Sequence, residues 1–177
     1  DGEPCYEDHP IGFDPRNGWF DAADVRRAAY WALLAGAHGH TYGCHNIWQM
    51  YAPEKHTPVS HARRAWRESL NLPGAGQMRY AKQLMLRRDP LLRVPDQSLL
   101  ASDAGEGEAH IRAARAADGS YAYLYLPTPR PVRVRMDKLA GRTVQAHWYD
   151  PRTGAWTPIG EFRATGEREF TPPAGDA

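Results

Sequence analysis

Residues 3–9 hold the densest group of reactive side chains in the sequence. Three carboxylates, Glu3, Glu7 and Asp8, stand beside Tyr6 and His9. Carboxylates serve proteins as nucleophiles and as general acids and bases. An aromatic loop follows directly, with Phe13, Trp19 and Phe20. This composition predicts the rim of an active site, and it is equally compatible with a solvated chain terminus.

A second group of polar and aromatic residues extends from His38 to Tyr51 and is rich in glycine and histidine. The stretch has no helical period, and Thr41 and Tyr42 favour a short buried strand that enters a long loop. A β/α fold places its site at the carboxyl ends of the strands. We therefore expect the histidines of this loop to hydrogen-bond a hydroxylated ligand or to orient a carboxylate.

Six side chains of these two groups are potential zinc ligands: Cys5, His9, His38, His40, Cys44 and His45. They do not form the two spaced ligand pairs that characterise strong zinc signatures. The sequence also lacks a glycine-rich phosphate loop and a serine or cysteine nucleophile with its own base. We predict neither a metal site nor a cofactor.

The charge balance bears on the kind of partner. The sequence has 22 Lys and Arg against 21 Asp and Glu, a net charge of +1 at pH 7. Nucleic-acid grooves and anionic membrane surfaces attract proteins with a clustered positive excess, and no apolar run approaches the ~18 residues of a membrane span. We expect neither nucleic acid nor a membrane as a partner. Six tryptophans and nine tyrosines against four phenylalanines instead suit a surface that stacks on a sugar and hydrogen-bonds to it.

Three helices are predicted in residues 1–90. The first begins at the N-cap Asp21 and ends at Gly36. Its buried stripe is expected at Val25, Ala28, Ala29, Ala32 and Ala35, widened by Trp31 and Leu34. Together with the strand around Thr41, the order of elements is the β/α alternation of a parallel sheet.

The second predicted helix begins at Thr57-Pro58, where a capping residue precedes a proline. A break at Pro73-Gly74 separates it from the third, at about residues 77–87. The positions that we expect the second helix to bury are Val59, Ala62, Trp66 and Leu70.

Residues 91–177 read as short strands separated by turns. Asp118-Gly119 and residues 150–154 are turn signals, and each is flanked by two strands. Five strands are expected, at residues 109–116, 120–126, 132–136, 144–149 and 155–162. We predict a small antiparallel β-sandwich. Tyrosines alternate along one strand at Tyr121, Tyr123 and Tyr125, and this face either packs against a neighbouring domain or binds polysaccharide or protein.

Motifs distributed over nearly the whole chain point to one family. They include Asp-Gly-Glu-Pro-Cys-Tyr-Glu at residues 1–7 and the segments 25–43, 47–51, 73–78, 94–99 and 148–154. Together they resemble the apiosidase-like glycoside hydrolases, which combine a (β/α)₈ TIM barrel with a C-terminal β-sandwich that is named for collagen binding. The resemblance implies an α/β plus all-β architecture. Residues 1–90 would form the C-terminal part of the barrel, from the end of strand seven to helix eight, and residues 91–177 the sandwich.

The resemblance further implies that residue 1 falls at the end of barrel strand seven and that the last sandwich strand lies beyond Ala177. We therefore expect a C-terminal fragment, inactive alone, whose partner is the missing N-terminal half of its own barrel. A signal peptide would lie upstream, and the family suggests a secreted or periplasmic protein.

The same resemblance implies a retaining glycosidase that cleaves plant or complex polysaccharide. Its nucleophile would be Glu3, with Glu7 as the alternative, and its acid/base residue would lie outside this chain. The residues implied to contact the sugar are Tyr6, His40, Tyr42, His45 and Trp48. Cys5 and Cys44 are expected to be buried thiols. A non-catalytic β-sandwich module that binds carbohydrate or protein is the alternative function.

Overall fold

The computed structural model describes residues 1–173. Four α-helices occupy the first half: α1 (Ala22–Leu34), α2 (His45–Trp48), α3 (Trp66–Ser69) and α4 (Pro73–Leu86). Seven strands follow: β1 (Arg93–Pro95), β2 (Arg112–Ala116), β3 (Ala122–Tyr125), β4 (Val132–Arg135), β5 (Thr143–Tyr149), β6 (Trp156–Arg163) and β7 (Glu167–Phe170). Within the described range, none of the helices has the length and apolarity to span a membrane.

Helix α1 forms where the sequence predicts it, because its start is encoded locally. The Asp21 carboxylate accepts hydrogen bonds from the backbone N–H groups of Ala23 and Asp24, and the Asp24 side chain accepts from the backbone N–H of Asp21. This reciprocal capping box satisfies donors that the first helical turn leaves free. The predicted stripe is confirmed at Val25, Ala29 and Leu34 and is wrong at Ala35, which is exposed. The buried face consists of Val25, Arg26, Ala29, Tyr30, Leu33 and Leu34.

The predicted second helix is wrong. The chain from Thr57 instead forms a loop with one 3₁₀ turn at Val59–His61, and only α3 is helical. Ser60 and His61 have φ angles of 44° and 62°, in the left-handed region that interrupts a right-handed helix. The break expected at Pro73-Gly74 is also wrong, because Pro73 occupies the first position of α4, where a proline starts a helix.

Residues 1–7 run parallel to residues 41–45, although they form no regular strand. The backbone N–H of Thr41 donates to the carbonyl of Asp1 at 3.2 Å, and the N–H of Glu7 donates to the carbonyl of Gly43 at 2.9 Å. Between these two contacts one segment advances by six residues and the other by only two. Residues 2–6 therefore bulge away from the pairing, and we call them the bulge segment. A bulge redirects side chains at the edge of a sheet.

The second half consists of antiparallel sheets. One has the order β1-β2-β3, and the pairs β4-β7 and β5-β6 form the others. Both predicted hairpins are confirmed: Ala113 pairs with Leu124 across β2 and β3, and Gln145 pairs with Glu161 across β5 and β6. An apolar core within this half includes Leu99, Leu100, Ile111, Ala113, Val132, Val134 and Met136.

The tyrosine face of β3 packs against the helices. The ring of Tyr125 stacks on that of Tyr30 from α1, with 4.8 Å between centroids. The hydroxyl of Tyr123 donates to the Leu84 carbonyl at the end of α4, at 3.2 Å. Of the two predicted uses of this face, packing against a neighbouring part of the chain is the one that the structure shows.

Candidate active site

Glu3 lies on the bulge segment with its side chain exposed to solvent. Its Oε1 accepts a long hydrogen bond of 3.5 Å from the hydroxyl of Tyr6. The Tyr6 ring packs against the backbone of Gly43. A Cβ at residue 43 would be only 2.5 Å from Tyr6 Cδ1. The glycine therefore permits the ring position from which the Tyr6 hydroxyl reaches Glu3. The sequence prediction of Glu3 as nucleophile is compatible with this exposed, lightly held carboxylate.

Glu7 is only 2% exposed, and both of its carboxylate oxygens are occupied. The hydroxyl of Tyr42 donates to Oε2 at 2.6 Å, and the backbone N–H of Gly74 donates to Oε1 at 3.1 Å. Gly74 is the second residue of α4, so the negative charge also lies near the positive end of a helix. A side chain at Gly74 would collide with this carboxylate. These contacts favour a structural role for Glu7 and leave Glu3 as the more accessible of the two predicted nucleophiles.

The environment of Tyr42 follows from that of Glu7. Burial, together with the adjoining Glu7 carboxylate, raises the pKa of the Tyr42 hydroxyl. The phenol therefore remains a hydrogen-bond donor at neutral pH. In this structure it donates to Glu7, so Tyr42 stabilises the ionised Glu7 carboxylate.

A buried network around Asp8 was missed by the sequence analysis. Asp8 is paired with Arg63 and lies 3.3 Å from Nε of Arg64. It also accepts a 2.8 Å hydrogen bond from the buried amide of Asn46. The Arg63 guanidinium stacks on Trp19, with 4.0 Å between Cζ and the ring centroid. The paired arginines in the sequence were the available signal, since a buried carboxylate requires such partners.

His45 is fully buried and uses both ring nitrogens within the protein. Nε2 faces the carbonyl oxygens of Val59 and Ser60, each at 3.0 Å, and Nδ1 accepts from the indole N–H of Trp48 at 3.2 Å. These partners fix a neutral imidazole with its proton on Nε2. His45 therefore holds the loop at Val59–His61 and orients Trp48, whose side chain remains 53% exposed.

The burial of His45 predicts a pH-dependent stability. Burial lowers the pKa of His45 below the value of about 6.5 that it has when unfolded. The unfolded chain thus binds more protons below pH 6.5, and the free energy of unfolding should fall as the pH drops from 7 toward 5, by at most about 1.4 kcal/mol per pH unit for this group. Burial lowers the pKa of His40 as well, which adds in the same direction.

Urea denaturation at a series of pH values measures this slope. The His45→Gln variant should be less stable and should show a smaller slope between pH 5 and 7. The matched control is His61→Gln, which removes an exposed histidine from the loop that His45 contacts. An undiminished slope in His45→Gln would contradict the assignment.

A row of rings extends from this histidine across the surface. The centroids of Phe13 and His9 lie 4.8 Å apart, those of His9 and His45 4.5 Å, and those of His45 and Trp48 6.1 Å. Phe13 is 70% exposed, so exposed rings lie at both ends of the row. Left-handed φ angles concentrate in the same segments, at Asp8, Phe13, Met50, Ser60 and His61. Such strain clusters at functional sites, and the row presents aromatic faces on which a sugar could stack.

The remaining predicted residues lie nearby but in different environments. His40 Nδ1 is 3.2 Å from an Asp1 carboxylate oxygen, and its Nε2 is buried without a partner among residues 1–173. Cys44 is buried and Cys5 half-buried, and both thiols are free. Burial raises the pKa of each, which keeps both protonated. In the part of the chain that the structure describes, no three potential ligands converge as a metal site requires.

Comparison with known proteins places this geometry in context. A model of the apiosidase-like catalytic domain matches residues 1–91. A second model, described as "Putative collagen-binding domain of a collagenase", matches residues 94–177. No curated protein matches the chain.

Two solved structures are similar over almost the whole chain. One is described as a glycoside hydrolase, with a TM-score of 0.92 and 40% identity over 99% of this chain and 39% of the other. The second is a glycoside hydrolase family 5 protein from Bacteroides vulgatus ATCC 8482, with a TM-score of 0.92 and 38% identity over 99% of this chain and 38% of the other. The chain thus spans about two fifths of the length of these structures.

Proposed function

This chain belongs to the apiosidase-like family of glycoside hydrolases, and from that premise we propose that it supplies the nucleophile side of a retaining glycosidase active site. In this proposal residues 1–90 form the C-terminal part of a TIM barrel and residues 91–177 a β-sandwich. The substrate class is a glycoside of plant or complex polysaccharide.

The observation that carries the proposal is the contrast between the two glutamates. Glu3 is exposed on the bulge segment with one hydrogen bond, from Tyr6, whereas Glu7 is buried with both oxygens occupied. A nucleophile must reach the anomeric carbon, and an ionised exposed carboxylate can do so. The parallel pairing of residues 1–7 with 41–45 supports a location at the edge of a β/α sheet, where such folds carry their sites.

The proposed reaction proceeds in two steps. Glu3 attacks the anomeric carbon while a second carboxylic acid, about 5–5.5 Å away and on a part of the enzyme outside this chain, protonates the leaving oxygen. Water then hydrolyses the glycosyl ester on Glu3, and the second residue now acts as the base. The Tyr6 hydroxyl is placed to steady the attacking carboxylate.

The sugar contacts follow from the exposure of each residue. Trp48 offers an exposed ring face, and Tyr6 offers a hydroxyl on the bulge segment. His40 is predicted to reach the sugar from the same region, although its side chain is only 4% exposed and its Nδ1 faces Asp1. The polar atoms of Tyr42 and His45 are already engaged by protein partners, so we assign to these two residues the positioning of Glu7 and Trp48.

The stereochemistry of hydrolysis tests the proposal. A chain of the relatives' length that carries this segment should hydrolyse one of a panel of aryl glycosides, and proton NMR should detect the product first in the anomeric configuration of the substrate. Residues 1–177 alone should give no hydrolysis, because the second carboxyl group is assigned outside them. Inversion at the anomeric carbon would rule out a covalent nucleophile.

The alternative function, a non-catalytic β-sandwich module that binds carbohydrate or protein, has less support. Each tyrosine of the aromatic face that suggested it makes a contact to the first half. Tyr121 donates to the Asp89 carbonyl at 2.9 Å, Tyr123 donates to Leu84, and Tyr125 stacks on Tyr30.

A further inference from the structure

A large cavity of about 990 Å³ lies between the helices and the β-strands. Helix α1 contributes Arg26 and Tyr30 to its wall, and the strand side contributes Tyr125 and Tyr149. None of the candidate active-site residues lines it. We propose that this cavity binds a small sugar acid or related hydroxy acid, with Arg26 as the residue that holds the carboxylate.

Among the residues that the structure describes, Arg26 carries a buried charge without an acidic partner. The residue is 7% exposed, and its Nη1 donates to the side-chain oxygen of Gln77 at 2.7 Å. Among residues 1–173, no carboxylate lies within ion-pair distance of its guanidinium. A guanidinium has five N–H donors and is matched best by two carboxylate oxygens. Because an uncompensated buried charge is costly, the surroundings of Arg26 favour the entry of an anion.

Tyr30 supplies a second, independent indication of a ligand. The residue is 2% exposed, and its hydroxyl lies near that of Tyr149 but makes no hydrogen bond of ordinary geometry within the described residues. Buried polar groups are almost always satisfied, and an orphaned one calls for a partner that is absent from the chain. The hydroxyl belongs to a side chain that lines the cavity beside Arg26, one helical turn away on α1.

The charge of the cavity wall points in the same direction. Its charged residues are four arginines and one aspartate: Arg26, Arg87, Arg88, Arg152 and Asp150. Asp150 already pairs with Arg152 at 3.0 Å. The wall is thus strongly positive although the chain as a whole is close to neutral. A concave surface lined by one sign of charge concentrates ions of the opposite sign.

The other walls suit a hydroxylated ring. The rings of Tyr149 and Trp156 lie 4.7 Å apart, and the Arg87 guanidinium stacks on Trp156 at 4.6 Å. The C–H faces of a sugar pack against aromatic rings, and phenol hydroxyls form hydrogen bonds with its hydroxyl groups. A carboxylate on a polyhydroxylated ring therefore matches the guanidinium, the free hydroxyl and the aromatic wall together.

Calorimetric titration of residues 1–177 with glucuronate, glucose and acetate tests the proposal. Glucuronate should bind at least about tenfold more tightly than glucose, because a charge-assisted pair distinguishes them. Methyl glucuronide distinguishes two sources of the ligand, because its methyl group occupies the position at which a polysaccharide chain would continue. If methyl glucuronide binds as tightly as glucuronate, the ligand is the end of a polysaccharide chain. If methyl glucuronide does not bind, the ligand is the free sugar acid. Equal affinity for glucose and glucuronate, or no binding of either, would overturn the proposal.

Two variants localise the site. Arg26→Gln should weaken glucuronate binding at least about tenfold. Arg27→Gln is the matched control on the same helix, because Arg27 pairs with Asp24 and Glu108, and affinity should stay within about twofold. Unchanged binding in Arg26→Gln would overturn the assignment.

Tyr30→Phe is a second variant of the same cavity, and it tests the site if Arg26→Gln does not fold. Removal of a hydroxyl that has no partner should raise Tm without ligand and weaken glucuronate binding severalfold. A lower Tm would show that the hydroxyl is already satisfied and would overturn its assignment. Glu3→Gln should leave glucuronate binding unchanged, so the outcome is independent of the proposed glycosidase.

Discussion

Replacement of Glu3 by glutamine is expected to lower kcat for glycoside hydrolysis by on the order of 10⁶-fold, the scale seen when a covalent nucleophile is removed. Glutamine is nearly isosteric with glutamate but carries no charge with which to attack the anomeric carbon. Glu3 is exposed and has only the long contact to Tyr6, so the substitution should leave Tm unchanged. Substrate affinity should persist, because the aromatic row from Phe13 to Trp48 remains. Steady-state kinetics in a chain of the relatives' length measure the effect.

Chemical rescue distinguishes a nucleophile from a residue that only binds. In Glu3→Ala, added azide should restore cleavage of an activated aryl glycoside, because the small anion can occupy the space of the missing carboxylate. The glycosyl azide formed should have the opposite anomeric configuration to the substrate. Turnover by Glu3→Gln that matches the unsubstituted enzyme would remove Glu3 from the mechanism and, with it, the proposed reaction.

Replacement of Glu7 by alanine should instead destabilise the fold, by about 3 kcal/mol. The change leaves the Tyr42 hydroxyl and the Gly74 N–H without their partner, and each unsatisfied buried group costs about 1–3 kcal/mol. It also removes a negative charge from the N-terminal end of α4. Thermal unfolding of residues 1–177 should show a Tm lower by roughly 6–12 °C, on the scale expected for a domain of this size.

Two milder variants bracket this result. Tyr42→Phe leaves the carboxylate bonded to Gly74, so the loss of stability should be less than in Glu7→Ala. Glu7→Gln keeps an acceptor for one of the two donors, so its loss of stability should lie between those of Tyr42→Phe and Glu7→Ala. If Glu7→Ala unfolds at the same temperature as the unsubstituted chain, the contacts that we assign to Glu7 contribute nothing and the choice between the two glutamates reopens.

Local signals explain which elements of the fold could be predicted. Helix α1 begins with a capping box whose members are three residues apart, and each hairpin of the second half has its turn residues between its strands. The loop after Thr57 could not be predicted in this way. Its left-handed residues are held by the His45 imidazole, which contacts carbonyl groups 14 and 15 residues further along the chain. The apolar spacing there matched a helix, but this contact selects a different backbone.

The candidate site was predictable as a region more than as a set of roles. The sequence predicts a reactive group at residues 3–9, but the exposure of Glu3 and the burial of Glu7 depend on distant partners. Gly74 lies 67 residues from Glu7, and Arg63 lies 55 residues from Asp8. Spacing along a chain does not report such contacts. For the same reason, nothing in the helical pattern of α1 singled out Arg26 as a buried charge.

The contact between Glu7 and the start of α4 has a consequence for the β-sheet half. The far end of the same helix receives the Tyr123 hydroxyl at Leu84, and its middle receives the Tyr149 hydroxyl at the Tyr80 carbonyl, at 2.9 Å. Helix α4 thus connects Glu7, four residues after Glu3, to the strands of the second half. The second half is therefore expected to stabilise the first, and truncation at the join between the two family matches, at residues 92–93, should remove these contacts.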